Sequence, residues 1–118
     1  MGIVRFLADA DLNKDILTGC HRIEPALDFL AASDAGLKGK PYLEVLAIAA
    51  AMGRILVTHD LRTMPRYFGE FLTTGKQTPG LFWVHQRQSI SKVIGSLVLV
   101  WSASEAEEWV NRIIETPL

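Results

Sequence analysis

The chain has 118 residues, 49 % of them hydrophobic, with 12 basic and 13 acidic side chains and a net charge of −1. That length suits one domain, residues 1–118, around one core, and the charge is not the footprint of a strongly basic nucleic-acid binder. A lone cysteine, Cys20, excludes an internal disulfide and a multi-cysteine zinc site, and no apolar run approaches the ~18 residues of a membrane span. The N-terminal residues carry no leader pattern, so no membrane partner and a cytoplasmic location are expected.

Residues 3–8 read as a first strand. Residues 11–20 read as a helix, with Leu12, Ile16 and Leu17 at helical spacing and Gly19 near its end. Residues 27–32 read as a second strand, with a helix as the alternative. Ser33–Gly36 and Lys38–Lys40 are turn material. Pro41 suits the first turn of a helix that runs to about Met52 and stops near Gly53. Residues 54–58 form a third strand, 63–73 a helix with Pro65 near its start, and Leu81–His85 a fourth strand. Ser89–Trp101 and Ser104–Ile114 read as two closing helices, the last with a capping box from Ser104 to Glu107. Strands alternating with helices predict an α/β fold: a three-layer α/β/α sandwich on a central, mainly parallel sheet of about four strands.

Two strands run out into acid. The first ends at Asp9 and Asp11, and the third, ILVTHD, ends at Asp60. Ligands of parallel sheets bind at the carboxyl ends of the strands, so Asp9 and Asp60 converge if those strands are neighbours. A third acid, Glu44, is the one charge in the helix PYLEVLAIAAAMG, which is apolar nearly all round and hence largely buried. Glu44 is therefore exposed near the helix start, paired with Arg5, Lys40 or Arg54, or turned towards a metal. Simpler roles exist for the others: Asp11 as an N-cap, Asp60 as a cap or turn former, Asp34 as a turn acid. Clustered carboxylates repel and need a positive partner, and Mg²⁺ or Mn²⁺ prefers such oxygens. His59 would orient a water or touch a phosphate, or simply be a packed strand-end residue. Lys38, Lys40, Arg62 and Arg66 are the basic residues placed to guide a phosphate backbone. Repulsion between the acids predicts that Asp60→Asn folds as well as the parent or better.

With these residues in view, the chain resembles the PIN-like domains, and more narrowly the short bacterial PIN-like proteins of toxin–antitoxin settings. FLADADL (6–12), GLKGKPYLEVLAIAA (36–50), GRILVTHDLRTMP (53–65), PGLFWV (79–84) and SEAEEWVNRI (104–113) carry the likeness over almost the whole chain. The resemblance implies a metal-dependent ribonuclease with Asp9, Glu44 and Asp60 as ligands of Mg²⁺ or Mn²⁺ and Asp11 as auxiliary ligand or general base. His59, Arg62 and Lys40 would touch RNA. It also implies an antitoxin protein as partner. The chain departs from the pattern in not being basic and at two places in its sequence. Tyr42 stands where relatives carry an Asp, and Val84-His85-Gln86 supplies no fourth acid after strand four.

Two rival readings remain. A degenerate PIN-like module would bind protein or RNA without cutting. Its apolar closing segment, Ile94–Trp101 with Trp109, would be core or else a homodimer or antitoxin contact. A receiver-like phosphoacceptor is echoed by Asp60-Leu-Arg-Thr-Met-Pro, but receivers need a fifth strand and a late Lys-Pro, whereas Lys92 is followed by Val93 and the tail reads as two helices.

Overall fold

The computed structural model describes residues 2–118. The elements are β1 (Phe6–Ala8), α1 (Lys14–Ile23), β2 (Phe29–Leu30), α2 (Tyr42–Met52), β3 (Ile55–Thr58), α3 (Met64–Thr73), β4 (Leu81–Val84), α4 (Ile90–Ala103), a 3-10 turn (Ala106–Trp109) and β5 (Ile113–Thr116). The five strands pair in parallel in the order β2-β1-β3-β4-β5. The central strands β1, β3 and β4 are short and mostly apolar because both faces of the sheet are covered there.

Alternation along each strand divides the core. Phe6, Ala8, Ile55 and Val57 point to one face and pack with Ile16 and Cys20 of α1 and Val93, Leu97 and Val100 of α4. Leu7 and Leu56 point to the other and pack with Val45, Leu46 and Ala49 of α2 and Phe68 and Phe71 of α3. Each fully buried Leu, Ile, Val or Phe among them contributes on the order of 1.5–3 kcal/mol. Burial also pushes the Cys20 thiol up to about 11, which makes it an unreactive core residue.

α2 is closed by Gly53 in the left-handed region (φ 64°), whose N–H returns to Ala49 and Ala50 carbonyls. The chain then reverses directly into β3. Arg54, at that junction, forms a fork with Asp28: Nη1 lies 2.7 Å from Oδ1 and Nη2 3.3 Å from Oδ2. Nη1 also donates to the Phe6 carbonyl at 3.1 Å, so one guanidinium ties together the amino ends of β1, β2 and β3. Arg54 is thus the partner of Asp28 and not of Glu44.

Three expectations change. The segment 104–114 is not a helix: a single 3-10 turn (Ala106–Trp109) is followed by Asn111 (φ 62°), and Ile113–Thr116, with three β-branched residues in four, pairs with β4 as a fifth strand. The capping box there is real but sits one residue later, between Glu105 and Glu108. Finally, α1 begins at Lys14, and its N-cap is Asn13, whose Oδ1 accepts from the Asp15 N–H at 2.9 Å. Asp11 is not a cap.

Candidate functional site at the carboxyl edge of the sheet

The β1–β3 register sets the site. Ala8 pairs with Val57, and the Asp9 N–H continues the ladder to the Val57 carbonyl at 2.9 Å. Asp9 therefore lies beside Thr58. One step along each strand reverses the face, so Asp9 and Thr58 lie on the α2/α3 side and His59 on the α1/α4 side.

Thr58 is fully buried, and its hydroxyl joins the two acids. It donates to Asp9 Oδ2 at 2.7 Å and accepts from the Asp60 N–H at 3.0 Å. The other Asp9 oxygen accepts from the Ala10 N–H at 2.9 Å. Asp9 is only 8 % exposed. Burial raises its carboxyl above the ordinary range, the Thr58 and Ala10 bonds oppose this, and the charges of Asp11 and Asp60 add to the rise. Asp60 behaves in the opposite way. Burial alone would raise it, but the Thr63 N–H, the Tyr42 hydroxyl, the Thr63 hydroxyl and the Arg62 N–H outweigh that and hold it low. The Thr63 N–H bond to Oδ1 is 2.8 Å, so Asp60 does cap the turn into α3. Two neighbouring carboxyls with opposed shifts are the arrangement from which acid and base roles are built.

Tyr42, in the first turn of α2, reaches this edge. Hydrogen bonding to Asp60 is the main reason its phenol is pushed up to about 12, with burial and the charges of Asp60, Asp9 and Asp11 adding to it. Its ring packs against Tyr67 of α3 at 5.4 Å, which closes the α2/α3 side. The residue that stands in place of an expected acid is thus a phenol lying in the field of the acids.

The structure joins Asp9 and Asp60 through Thr58 and sets Asp11 and Tyr42 within reach of their charge. It does not bring Glu44 with them. Glu44 is exposed, two residues beyond Tyr42 and so turned to another side of α2. Among the described residues, no three of the His, Cys, Asp and Glu side chains converge closely enough to enclose a metal ion by themselves. His59 is a bracket: Nδ1 meets the Val84 carbonyl at 2.9 Å and Nε2 accepts from the Asn13 N–H at 3.1 Å. Both ring nitrogens are engaged, which ties β3, β4 and the start of α1 together and leaves neither for a phosphate. Lys38, Lys40, Arg62 and Arg66 are all exposed, the first pair ahead of α2 and the second at the entry to α3. The closing apolar segment is mostly core: Ile94, Leu97 and Val100 are buried, Trp109 packs edge-on to Phe82 at 5.2 Å, and Leu99 stands exposed.

Thr58 was the residue that sequence reasoning passed over. Its signal is a lone hydroxyl at the end of an otherwise apolar strand, where a buried O–H must find partners. A groove of about 750 Å³ opens at the opposite, amino edge of the sheet. Its acids are already engaged, Asp28 with Arg54 and Glu107 with the Gly2 N–H, so it has no comparable chemistry. No described helix is long and apolar enough to cross a membrane. No family model matches the chain, and no curated protein and no solved structure shows significant similarity to it.

Proposed function

We propose that the chain is a PIN-like, metal-dependent ribonuclease whose site is Asp9, Asp60 and Asp11. The observation that carries this reading is an acid cluster without a cation. Asp9 and Asp60 are joined through Thr58 at the carboxyl ends of adjacent parallel strands, the charge of Asp11 acts on Asp9, and the one ion pair among the described residues, Arg54–Asp28, lies at the other edge. The donor set fits Mg²⁺ or Mn²⁺, which is commonly held by one or two carboxylates, with waters and substrate phosphate completing the shell. Such an ion supplies charge neutralisation at a phosphodiester and a more acidic water.

The chain's own residues do the rest. Thr58 fixes the Asp9 carboxylate, and the Thr63 N–H fixes that of Asp60. Asp11, exposed and free of a capping role, is placed to take a proton from an attacking water. Arg62 and Arg66 flank the α2/α3 side, where a phosphate backbone would lie. Glu44 is left out of this ligand set.

A second reading, a PIN-like module that binds without cutting, is favoured by one observation: Tyr42 places a phenol beside Asp60 where a further carboxylate would be expected. The receiver-like reading loses one objection, because the fifth strand exists. It lacks the late Lys, since β5 ends in Thr116 before Pro117, and Asp60 is engaged by Thr63 and Tyr42.

The deciding experiment is cleavage of a mixed-sequence, quenched fluorescent RNA with Mn²⁺ by the parent, Asp9→Asn and Asp60→Asn, together with thermal unfolding with and without Mn²⁺. Cleavage and Mn²⁺ stabilisation by the parent alone are expected. Cleavage equal in all three would refute the site. Neither cleavage nor stabilisation in the parent would leave the binding module as the reading.

A further inference from the structure

On the α1/α4 side of the same edge lies a second pocket, of about 330 Å³. Its floor is apolar, with Ile16 of α1 and Val93 of α4. Its walls are Asp11, His85, Gln86 and Gln88. His59, fixed through both ring nitrogens, forms a rigid wall of this pocket beside Val84 of β4. His85 is similarly set: its Nδ1 accepts from the Arg87 N–H at 3.2 Å, and its ring lies 5.4 Å from that of Trp83. Trp83 is anchored in turn by its Nε1–H bond to the His59 carbonyl at 3.1 Å.

The lining defines the ligand. No Lys or Arg contributes, so the pocket does not select a phosphate. It offers an apolar floor, an ordered imidazole, two amides that both donate and accept, and one carboxylate that only accepts. Its volume lies at the lower end for ligand pockets, which suits one ring system. A flat, neutral heterocycle with edge donors matches this lining. Asp11 also belongs to the acid cluster, since its charge is felt by both Asp9 and Tyr42. A group seated here is therefore adjacent to the proposed phosphodiester site.

We propose that this pocket is a nucleobase subsite for single-stranded RNA, selecting a base with an exocyclic amino group through Asp11, with His85 as a stacking surface and Gln86 and Gln88 on the base edge. Recognition of unstacked RNA bases by aromatic faces and edge hydrogen bonds has this chemistry, and carboxylates accept from the cytosine amino group. The proposal rests on the RNA reading above, but not on turnover.

The test is fluorescence anisotropy with labelled short homo-oligomers of cytidine and uridine, in EDTA so that no cleavage intervenes. Cytosine and uracil share a shape and differ at the amino group. The parent should bind the cytidine oligomer about five- to tenfold tighter, the effect of one base-edge contact. Asp11→Ala should abolish the preference, and Gln86→Ala/Gln88→Ala should weaken cytidine binding about fivefold or more. All these residues except His85 are exposed, and circular dichroism would verify the fold of each variant. Equal affinity for the two oligomers, no binding of either, or a preference unchanged in Asp11→Ala would overturn the subsite. If Mn²⁺-dependent cleavage persists in that case, the nuclease reading stands alone. If the preference is present without cleavage, the subsite stands and the nuclease reading falls.

Discussion

Thr58→Val tests whether one buried hydroxyl organises the acid edge. Valine has nearly the shape of threonine, so no cavity forms and the lost chemistry is isolated. The hydroxyl donates to Asp9 at 2.7 Å and accepts from the Asp60 N–H at 3.0 Å. A hydrogen bond to a charged group contributes ~1.5–3 kcal/mol, and an orphaned amide costs ~1 kcal/mol or more. The added methyl returns about 0.8 kcal/mol of apolar burial. A net loss of about 2–3 kcal/mol at neutral pH follows, or roughly 6–15 °C in Tm for a chain of this size. The loss should depend on pH in one direction. The bond matters most when Asp9 is ionised, so the difference between parent and variant should shrink as pH falls through the raised Asp9 pKa towards the ordinary value of 3.8. Urea unfolding of both proteins across that range, followed by circular dichroism, reads the difference directly. A neutral-pH loss below ~0.5 kcal/mol, or one that does not change with pH, would refute the account of Asp9 as a buried carboxylate stabilised by Thr58.

The two main acids should respond oppositely to amidation. Asp9 contributes stability fully below its ordinary value and loses it as pH rises through its raised folded pKa, so Asp9→Asn without metal should fold at neutral pH as well as the parent or better. Asp60 contributes stability above its ordinary value and loses it as pH falls through its lowered folded pKa. Asp60→Asn should therefore cost about 0.5–1 kcal/mol at neutral pH, against the expectation from repulsion alone, and chemical denaturation of the pair would show the ordering. In ultraviolet titration, one of the two tyrosines should ionise at about 12 and return towards 10.0 in Asp60→Asn, since the carboxylate holds the Tyr42 proton. Gly80→Ala should lose about 3 kcal/mol or more: φ is 122°, and a Cβ would stand 2.6 Å from the Trp109 carbonyl oxygen, which is fixed backbone. A Tm within a few degrees of the parent would contradict that.

The sequence by itself determined the alternation of elements, the burial of four strands and the placing of Asp9 and Asp60 at strand ends. These rest on local pattern: apolar runs that stop at acids, glycine at the end of α2, and the preference of α/β chains for parallel order. Tertiary structure alone decided the rest. Residues 104–114 have helix-compatible spacing, yet Asn111 reverses the chain and the edge of β4 recruits Ile113–Thr116 as a strand, a choice that depends on a partner distant in sequence. Glu44 and Tyr42 share the first turn of α2, and only the rotation of that helix on the sheet turns the phenol to Asp60 and leaves the carboxylate in solvent. Asp9 and Asp60 look alike in sequence as acids that follow strands. Their opposed proton affinities come from burial and from the amides and hydroxyls around them, which only the packed chain supplies.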